Sequence, residues 1–267
     1  MIVVKMGGAQ GVNLAAVCQD VAALIHQGQE LIFVHGGSNE TNELSEKLGH
    51  TPRFITTLSG FTSRYTDRQT LEIFAMATAR INLILVEQLQ KAGVNAVGLS
   101  GADGRLLSAK RNEAIRVVEN GRRMVIRDDY TGKIETVNAG LLRSLLSAGL
   151  TPVIQPLAIS EAGDALNVDA DRAAAMVAGA VGAEQLILLT NVPGLLRSFP
   201  DESTLIPHIT RAEIDSALSL AEGRMKKKVL GAVEALDLGV RKVIFADGRA
   251  ASPLLGALAG QGTTIER

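Results

Sequence analysis

Lys5 sits inside the apolar run Ile2-Val3-Val4-Lys5-Met6, directly before Gly7-Gly8. An ammonium buried in such a strand is costly unless an anion pairs with it. The other reading is a side chain that snorkels from the strand end to solvent. Arg224, Lys226, Lys227 and Lys228 crowd the start of a later helix. Each cation there opposes the helix dipole by roughly 0.3–1 kcal/mol. A solvated basic face explains such a run, and so does an anion site reached by one lysine. Lys228, three residues after Met225 and next to Val229, lies closest to the buried edge of that helix. Asp169 and Asp171 stand at another helix start, where they either cap it or orient lysines. Arg64, among Thr62, Ser63, Tyr65 and Thr66, is either a surface residue or a two-pronged clamp for a carboxylate.

Two glycine pairs complete the set. Gly7-Gly8 and Gly36-Gly37 each follow a strand and precede a helix. Turns of this kind bring backbone N–H groups close to an anion without a Cβ in the way. The helix start behind them adds positive potential. They are also compatible with ordinary turns that need φ > 0. The chain has no G-x-x-x-x-G-K-[ST], no G-x-G-x-x-G, no H-E-x-x-H and no G-x-S-x-G. A P-loop, a dinucleotide fingerprint, a zincin and a nucleophile elbow are thereby excluded. The four histidines and the single cysteine show no metal-ligand spacing, so no protein metal site is expected. No histidine is given a role; His35 at most shapes its turn.

These residues need a scaffold. Ile2–Met6, Leu31–Val34, Val94–Leu99, Pro152–Gln155, Gln185–Leu189 and Lys242–Ala246 read as short buried strands. Helical spacing runs over 13–27, 38–48, 68–92, 138–148, 211–220 and 224–238, and Asn167 to Asp171 opens a further Ala-rich helix to about Gly182, with Ser38 and Asp67 as candidate caps. Phe54–Thr66 reads as a hairpin, and 105–136 as short strands with turns at Asn120-Gly121 and Thr131-Gly132. The repeated order strand, glycine turn, helix predicts a parallel sheet with helices on both faces, a three-layer α/β sandwich. A lobe boundary is placed near residue 165, at the Gly163-Asp164 turn.

Composition narrows the rest. In 267 residues, 46% are hydrophobic but only 3% aromatic, so the core is aliphatic. The lone Cys18 lies on an apolar helix face and reads as a core thiol. The net charge of −1 predicts neither nucleic-acid nor membrane binding. The first residues read as a strand and not as a basic leader, and no unbroken apolar run reaches the roughly 18–20 residues of a span. The expectation is a soluble cytoplasmic protein.

Val4-Lys5-Met6-Gly7-Gly8, His35-Gly36-Gly37, Arg64, Leu166 to Asp171, Leu189 to Gly194 and Met225 to Val229 occur in the order of the amino acid kinase family, which the chain resembles over almost its whole length. Its general relatives are N-acetylglutamate kinases. Residues 35–42, 129–132, 200–202 and 223–226 resemble a narrower group, the LysW-aminoadipate kinases. N-acetylglutamate kinases usually carry a third glycine where this chain has Ser38. The resemblance implies the amino acid kinase or carbamate kinase-like fold. In it Lys5 and Lys228 stabilise a phosphoryl group in transit and Asp171 holds the two lysines. Gly7, Gly8, Thr190 and Gly194 border ATP, while Gly36, Gly37, Arg64 and Asn167 take the substrate. Magnesium would be bound mainly through ATP oxygens. Residues 1–165 would take the amino acid and form a homodimer, and 166–267 would take ATP. The implied reaction phosphorylates the side-chain carboxylate of 2-aminoadipate linked to a small acidic carrier protein of the LysW type. Carrier-linked glutamate, one methylene shorter, is a further acceptor, since a methylene gives only about 1–3 kcal/mol of discrimination. N-acetylglutamate kinase, and a non-catalytic nucleotide- or amino-acid-binding regulator on the same fold, are the alternatives.

One charge pattern fits the carrier. From Arg105 to Arg127 stand seven basic residues (Arg105, Lys110, Arg111, Arg116, Arg122, Arg123, Arg127) against Glu113 and Glu119. The excess, 7 − 2 = +5, falls in a chain of total −1. The segment is expected either to dock an acidic partner or to form ordinary solvated strand faces.

Overall fold

In the computed structural model, residues 1–8, 11–58, 60, 62–119, 122–220 and 223–266 are described, apart from the side chains of Glu119 and Arg224. The Asn120-Gly121 turn and the Arg224 side chain therefore lie outside the described residues. The chain opens with β1 (Ile2–Met6), α1 (Leu14–His26), β2 (Leu31–His35) and α2 (Ser38–Lys47). The β3–β4 hairpin (Phe54–Thr57, Thr62–Arg64) leads into α3 (Arg68–Lys91) and β5 (Ala96–Ser100). Four strands follow: β6 (Leu107–Arg111), β7 (Ile115–Glu119), β8 (Arg122–Ile126) and β9 (Gly132–Val137). Next come α4 (Ala139–Ser147), β10 (Thr151–Gln155), β11 (Leu157–Ile159), β12 (Ala165–Asn167), α5 (Ala170–Val181) and β13 (Gln185–Thr190). The chain closes with β14 (His208–Thr210), α6 (Ile214–Leu220), α7 (Gly223–Asp237), β15 (Lys242–Asp247), α8 (Pro253–Leu258) and β16 (Thr263–Glu266).

The central sheet runs β14-β16-β15-β13-β1-β2-β10-β5. From β15 to β5 every pairing is parallel, and only β16 runs antiparallel to β15. Side chains alternate across this sheet, as the strand period of two requires. On β1, Ile2, Val4 and Met6 join α1, α3 and α8 in one apolar cluster that includes Cys18. Val3 faces the other way, into a cluster built on α4, α5 and α7. The three layers predicted from the strand–helix order are therefore present. Lys5 shares the face of Val3 and so points towards α5 and α7. Two four-stranded sheets, β12-β11-β6-β9 and β4-β3-β7-β8, are appended at this end.

Several local readings need correction. Ser38 is the first residue of α2 and does not cap it; Gly37 occupies the N-cap. Thr131-Gly132 is not a hairpin turn, because β8 pairs with β7 and β9 pairs with β6 in the other small sheet. The strands β11, β12, β14 and β16, three or four residues each, were not anticipated; neither was the six-residue α8. The Gly163-Asp164 turn is the β11–β12 hairpin, with Gly163 at φ 89°. Helix α3 does have the length and apolar content of a membrane span. Its apolar face (Leu71, Phe74, Leu85, Leu89) is buried in the protein, and its other face carries the ion pairs Arg68–Glu72, Arg80–Glu40 and Lys91–Glu87.

Candidate active site

The two glycine turns interlock. A Cβ on Gly8 would lie 2.5 Å from the Gly37 nitrogen and 2.7 Å from the Ser38 nitrogen. One on Gly36 would lie 2.8 Å from the Gly8 nitrogen. Real Cβ atoms do not tolerate such approaches to backbone, so glycine here is a packing requirement; none of the four glycines has a positive φ, and the reading of turns that need one does not hold. The Ser38 hydroxyl and the Asn39 N–H both donate to the Gly8 carbonyl, at 3.2 and 3.0 Å, tying the turns together. Not every glycine N–H is free for a ligand. Gly7 donates to the Leu189 carbonyl at 3.2 Å and Gly36 to the Met6 carbonyl at 2.9 Å. Gly36 thus contributes close approach in place of a donor.

Beside the turns, Asp171 gathers both lysines. Lys5 Nζ lies 2.7 Å from Asp171 Oδ1. Lys228 Nζ donates to both carboxylate oxygens, at 2.9 and 3.1 Å. Local sequence explains the placement. Asp169 caps α5 by accepting from Arg172 N–H at 3.0 Å, which leaves Asp171 in the first turn facing β1 and α7. Capping is what the structure gives Asp169; orienting lysines falls to Asp171. On α7, Lys227 instead donates to the Thr62 carbonyl at 2.5 Å, and Lys226 is exposed.

The centre holds two ammonium groups and one carboxylate almost wholly out of water; Lys5 is 4% and Asp171 9% exposed. Burial opposes the Asp171 charge, but Lys228 and Lys5 overcome it and hold the carboxyl well below the usual carboxylate range. Lys228 loses to burial but gains more from Asp171, whose two oxygens it spans, and its pKa rises. Lys5, in the strand itself, is dominated by burial, and its pKa falls despite Asp171. The neighbouring Lys228 charge pushes it the same way. The net charge of two cations and one anion is +1, in a low-dielectric setting that favours a further anion. Burial pushes the Cys18 thiol up to about 11, consistent with an inert core residue.

A second hydrogen-bond network joins α2, the end of β4 and β12. Arg64 donates to the Ser38 carbonyl at 3.1 Å and to Asn42 Oδ1 at 2.5 Å, so it reaches the glycine turns through α2. Asn167 donates to Thr66 Oγ1 at 3.1 Å, and Thr66 Oγ1 donates to the Arg64 carbonyl at 3.3 Å. Arg64 and Asn167, 103 positions apart in the sequence, are thus linked through one threonine. Fully buried Asp129 holds this corner by accepting from Thr66 N–H at 3.0 Å and Thr131 N–H at 2.7 Å. Sequence reasoning assigned Thr66 and Asp129 no role, though 129–132 stood out as a resembling segment. Thr190 closes a turn by donating to the Val192 carbonyl at 2.6 Å. Its own carbonyl accepts from Gly248 at 2.7 Å. A Cβ on Gly194 would meet Thr263 Oγ1 at 2.5 Å. Thr190 ends β13, the strand beside β1.

Outward from Thr131, a groove of about 940 Å³ opens between the two small sheets. Lys110, Arg111, Arg116 and Lys133 line it with Glu113 and Glu135. Of the seven basic residues from Arg105 to Arg127, Arg111 is half-buried, with Nε donating to the Asp129 carbonyl at 2.8 Å. The other six are exposed.

Glycine turns, Lys5 and Thr190 all lie at the carboxyl ends of parallel strands. Chain order reverses there, β2 lying on one side of β1 and β13 on the other, which is where open α/β sheets bind ligands. Fold and site define a class: three-layer α/β proteins with a desolvated, net-positive anion centre at the switch point. The chain belongs to the amino acid kinase family, which matches residues 1–247. It is 55% identical over 266 residues to the [LysW]-aminoadipate kinase of Deinococcus radiodurans, covering 99% of this chain and 91% of that one. It is 53% identical over 268 residues to the [LysW]-aminoadipate kinase of Thermus thermophilus, covering 99% and 100%. Among solved structures, N-acetylglutamate synthase from Neisseria gonorrhoeae superposes with a TM-score of 0.81 at 28% identity. That match covers all of this chain, which spans 59% of the synthase's length.

Proposed function

We infer that the protein is an ATP-dependent kinase that phosphorylates the side-chain carboxylate of 2-aminoadipate linked to a LysW-type carrier, a step of lysine biosynthesis. The buried Lys5–Asp171–Lys228 centre beside the interlocked glycine turns carries this reading. A carboxylate oxygen of the substrate attacks the γ-phosphorus. A C–O–P link forms, and the bond from phosphorus to the bridging oxygen breaks, its electron pair leaving on ADP. The substrate carboxylate is already ionised near pH 7, so no general base is needed. Asp171, occupied by two ammonium groups, holds and orients them. Lys5 and Lys228 offset the charge on the migrating group, and the Gly8 and Gly37 N–H groups add backbone donors. Arg64 and Asn167 grip the substrate, and Gly7, Thr190 and Gly194 border the nucleotide.

Among the described residues, no cluster of three or more His, Cys, Asp or Glu side chains is arranged to hold a metal. In this reading a magnesium ion would be carried by triphosphate oxygens and would neutralise phosphate charge. In the same reading, residues 1–165 take the amino acid and pair two copies of the chain, 166–267 take ATP, and the enzyme works in the cytoplasm. The exposed arginines between Arg105 and Arg127 draw in the acidic carrier, whose linked end enters along the groove beside Thr131.

Assay of the purified enzyme with ATP and, separately, carrier-linked aminoadipate, carrier-linked glutamate and free N-acetylglutamate tests the reading. Acyl phosphate is expected from the carrier-linked acids. Turnover of free N-acetylglutamate alone would transfer the assignment to an N-acetylglutamate kinase. ATP binding with no transfer to any acid would make the protein a regulator.

A further inference from the structure

His35 ends β2 directly before the second glycine pair and is fully buried. Both ring nitrogens have partners. Nδ1 lies 3.0 Å from the Gly36 carbonyl oxygen, and Nε2 lies 3.2 Å from Nδ2 of Asn82 on α3. The tautomer follows from who can donate. The Asn82 amide nitrogen also lies 2.9 Å from the Val153 carbonyl, which only accepts, so the nitrogen and not the oxygen of that amide must face it. The same NH₂ therefore donates its second hydrogen to Nε2, and the ring proton resides on Nδ1, where it meets the Gly36 carbonyl. Imidazolium is disfavoured there, since burial, with the Lys5 charge adding to it, lowers the pKa to about 4.

The Gly36 carbonyl and the Gly37 N–H belong to one peptide plane and point in opposite directions. Fixing the carbonyl on His35 therefore fixes the direction of that N–H. We propose that His35, locked as the Nδ1–H tautomer by Asn82, is a positioning residue that aims the Gly37 N–H at the phosphoryl group. Helix α3 supplies the support. Asn82 and Thr78 are one turn apart and both buried. A Cβ on Gly37 would meet Thr78 Cγ2 at 2.6 Å. Gly98 on β5 makes room for Asn82, because a Cβ there would lie 2.0 Å from its Oδ1. A line of contact thus runs from β5 through α3 to the phosphate cradle.

The kinetic part of this inference rests on the kinase reading, so the test has two arms. Nitrogen-15 NMR of histidine-labelled full-length protein, assigned with His35→Asn, reports the tautomer without turnover. A protonated Nδ1 and bare Nε2 are expected at pH 7, persisting to about pH 5. An Nε2–H tautomer, or titration near the ordinary value of 6.5, would overturn the proposal. In the second arm, His35→Asn keeps a donor near Nδ1, whereas His35→Gln can still accept from Asn82 but loses the link to Gly36. His35→Gln should lose about 10–100-fold in kcat with KM for ATP within about twofold, and His35→Asn should recover most of that loss. Equal kcat in the wild type and a folded His35→Gln would refute the positioning role. A wild type that phosphorylates none of the acids, yet shows the Nδ1–H imidazole, would sink the kinase reading and leave the tautomer assignment standing.

Discussion

The charged centre and the small sheets solve opposite problems. Lys5 and Asp171 are buried and Lys228 is mostly so, all three paired through Asp171 and fixed by a strand and two helices. The arginines of β7 and β8 are exposed on a four-stranded sheet at the margin of the fold. In the first region each charge is strong because water is excluded, and a single substitution changes the local charge balance. In the second, solvent and salt screen each charge, and only their sum acts. In the proposed function, chemistry falls to the first region and partner choice to the second.

The sharpest way to break the comparison is to change the charge count at the centre. Asp171→Asn leaves two ammonium groups buried without a counter-ion and should cost about 3–5 kcal/mol of stability, read by denaturant unfolding. The folded pKa of Asp171 lies below 3.8. Its contribution is therefore complete above that value and is lost as pH falls through the folded one. Stability of Asp171→Asn should accordingly depend less on pH in that acid range. Lys5→Met does the reverse: it leaves a neutral Asp171–Lys228 pair and an apolar side chain of similar length. It should fold as stably as the wild type while kcat falls about 10²–10³-fold, as for loss of one preorganised donor. A Lys5→Met enzyme within tenfold of wild type would contradict the role given to Lys5.

What could be read beforehand divides along the same line. Lys5, Asp171 and Lys228 were legible because a charge in an apolar strand or at a helix start is locally anomalous. Their convergence was expected only through the family resemblance, since from the residues alone it depends on which face of β1 meets α5. That the Gly36 N–H is already engaged could not be foreseen, because its bond to the Met6 carbonyl is a β1–β2 contact that neither segment reveals alone. Asn82 and Thr78 were invisible for a related reason: a polar residue in a long mixed helix is unremarkable until a glycine is found against it. Strands β11, β12, β14 and β16 are too short to show a period.

The glycine turns give a smaller effect with a built-in rescue. Gly37→Ala drives a methyl into Thr78 Cγ2. Overpacking of this kind costs about 1–3 kcal/mol, and turnover should drop roughly tenfold as the peptide shifts. Thr78→Ser removes that methyl and keeps the hydroxyl bonded to the Phe74 carbonyl. The double variant should regain most of the lost turnover; failure to do so would show that the Thr78 contact is not what requires glycine at this position.

At the margin, charge reversal at Arg122 and Arg123 should raise KM for the carrier-linked substrate several-fold with kcat unchanged, an effect that fades as salt is raised. Carrier binding that is indifferent to both the reversal and the salt would remove this surface from the docking path.

The smallest expected signal is a proton count. Burial holds the Lys5 pKa below 10.5, and bound phosphates would raise it again. Between the two values the complex binds more protons than its parts, so ATP binding should take up a fraction of a proton at alkaline pH and weaken as pH rises through that window. Lys228 contributes nothing there, because its pKa already lies above 10.5 and it stays charged on both sides of the equilibrium. Calorimetric titration in two buffers of different ionisation enthalpy measures the uptake, and Lys5→Met should abolish it. Proton release, or an uptake that survives in Lys5→Met, would mean that the bound anion is sensed by some group other than the lysine of β1.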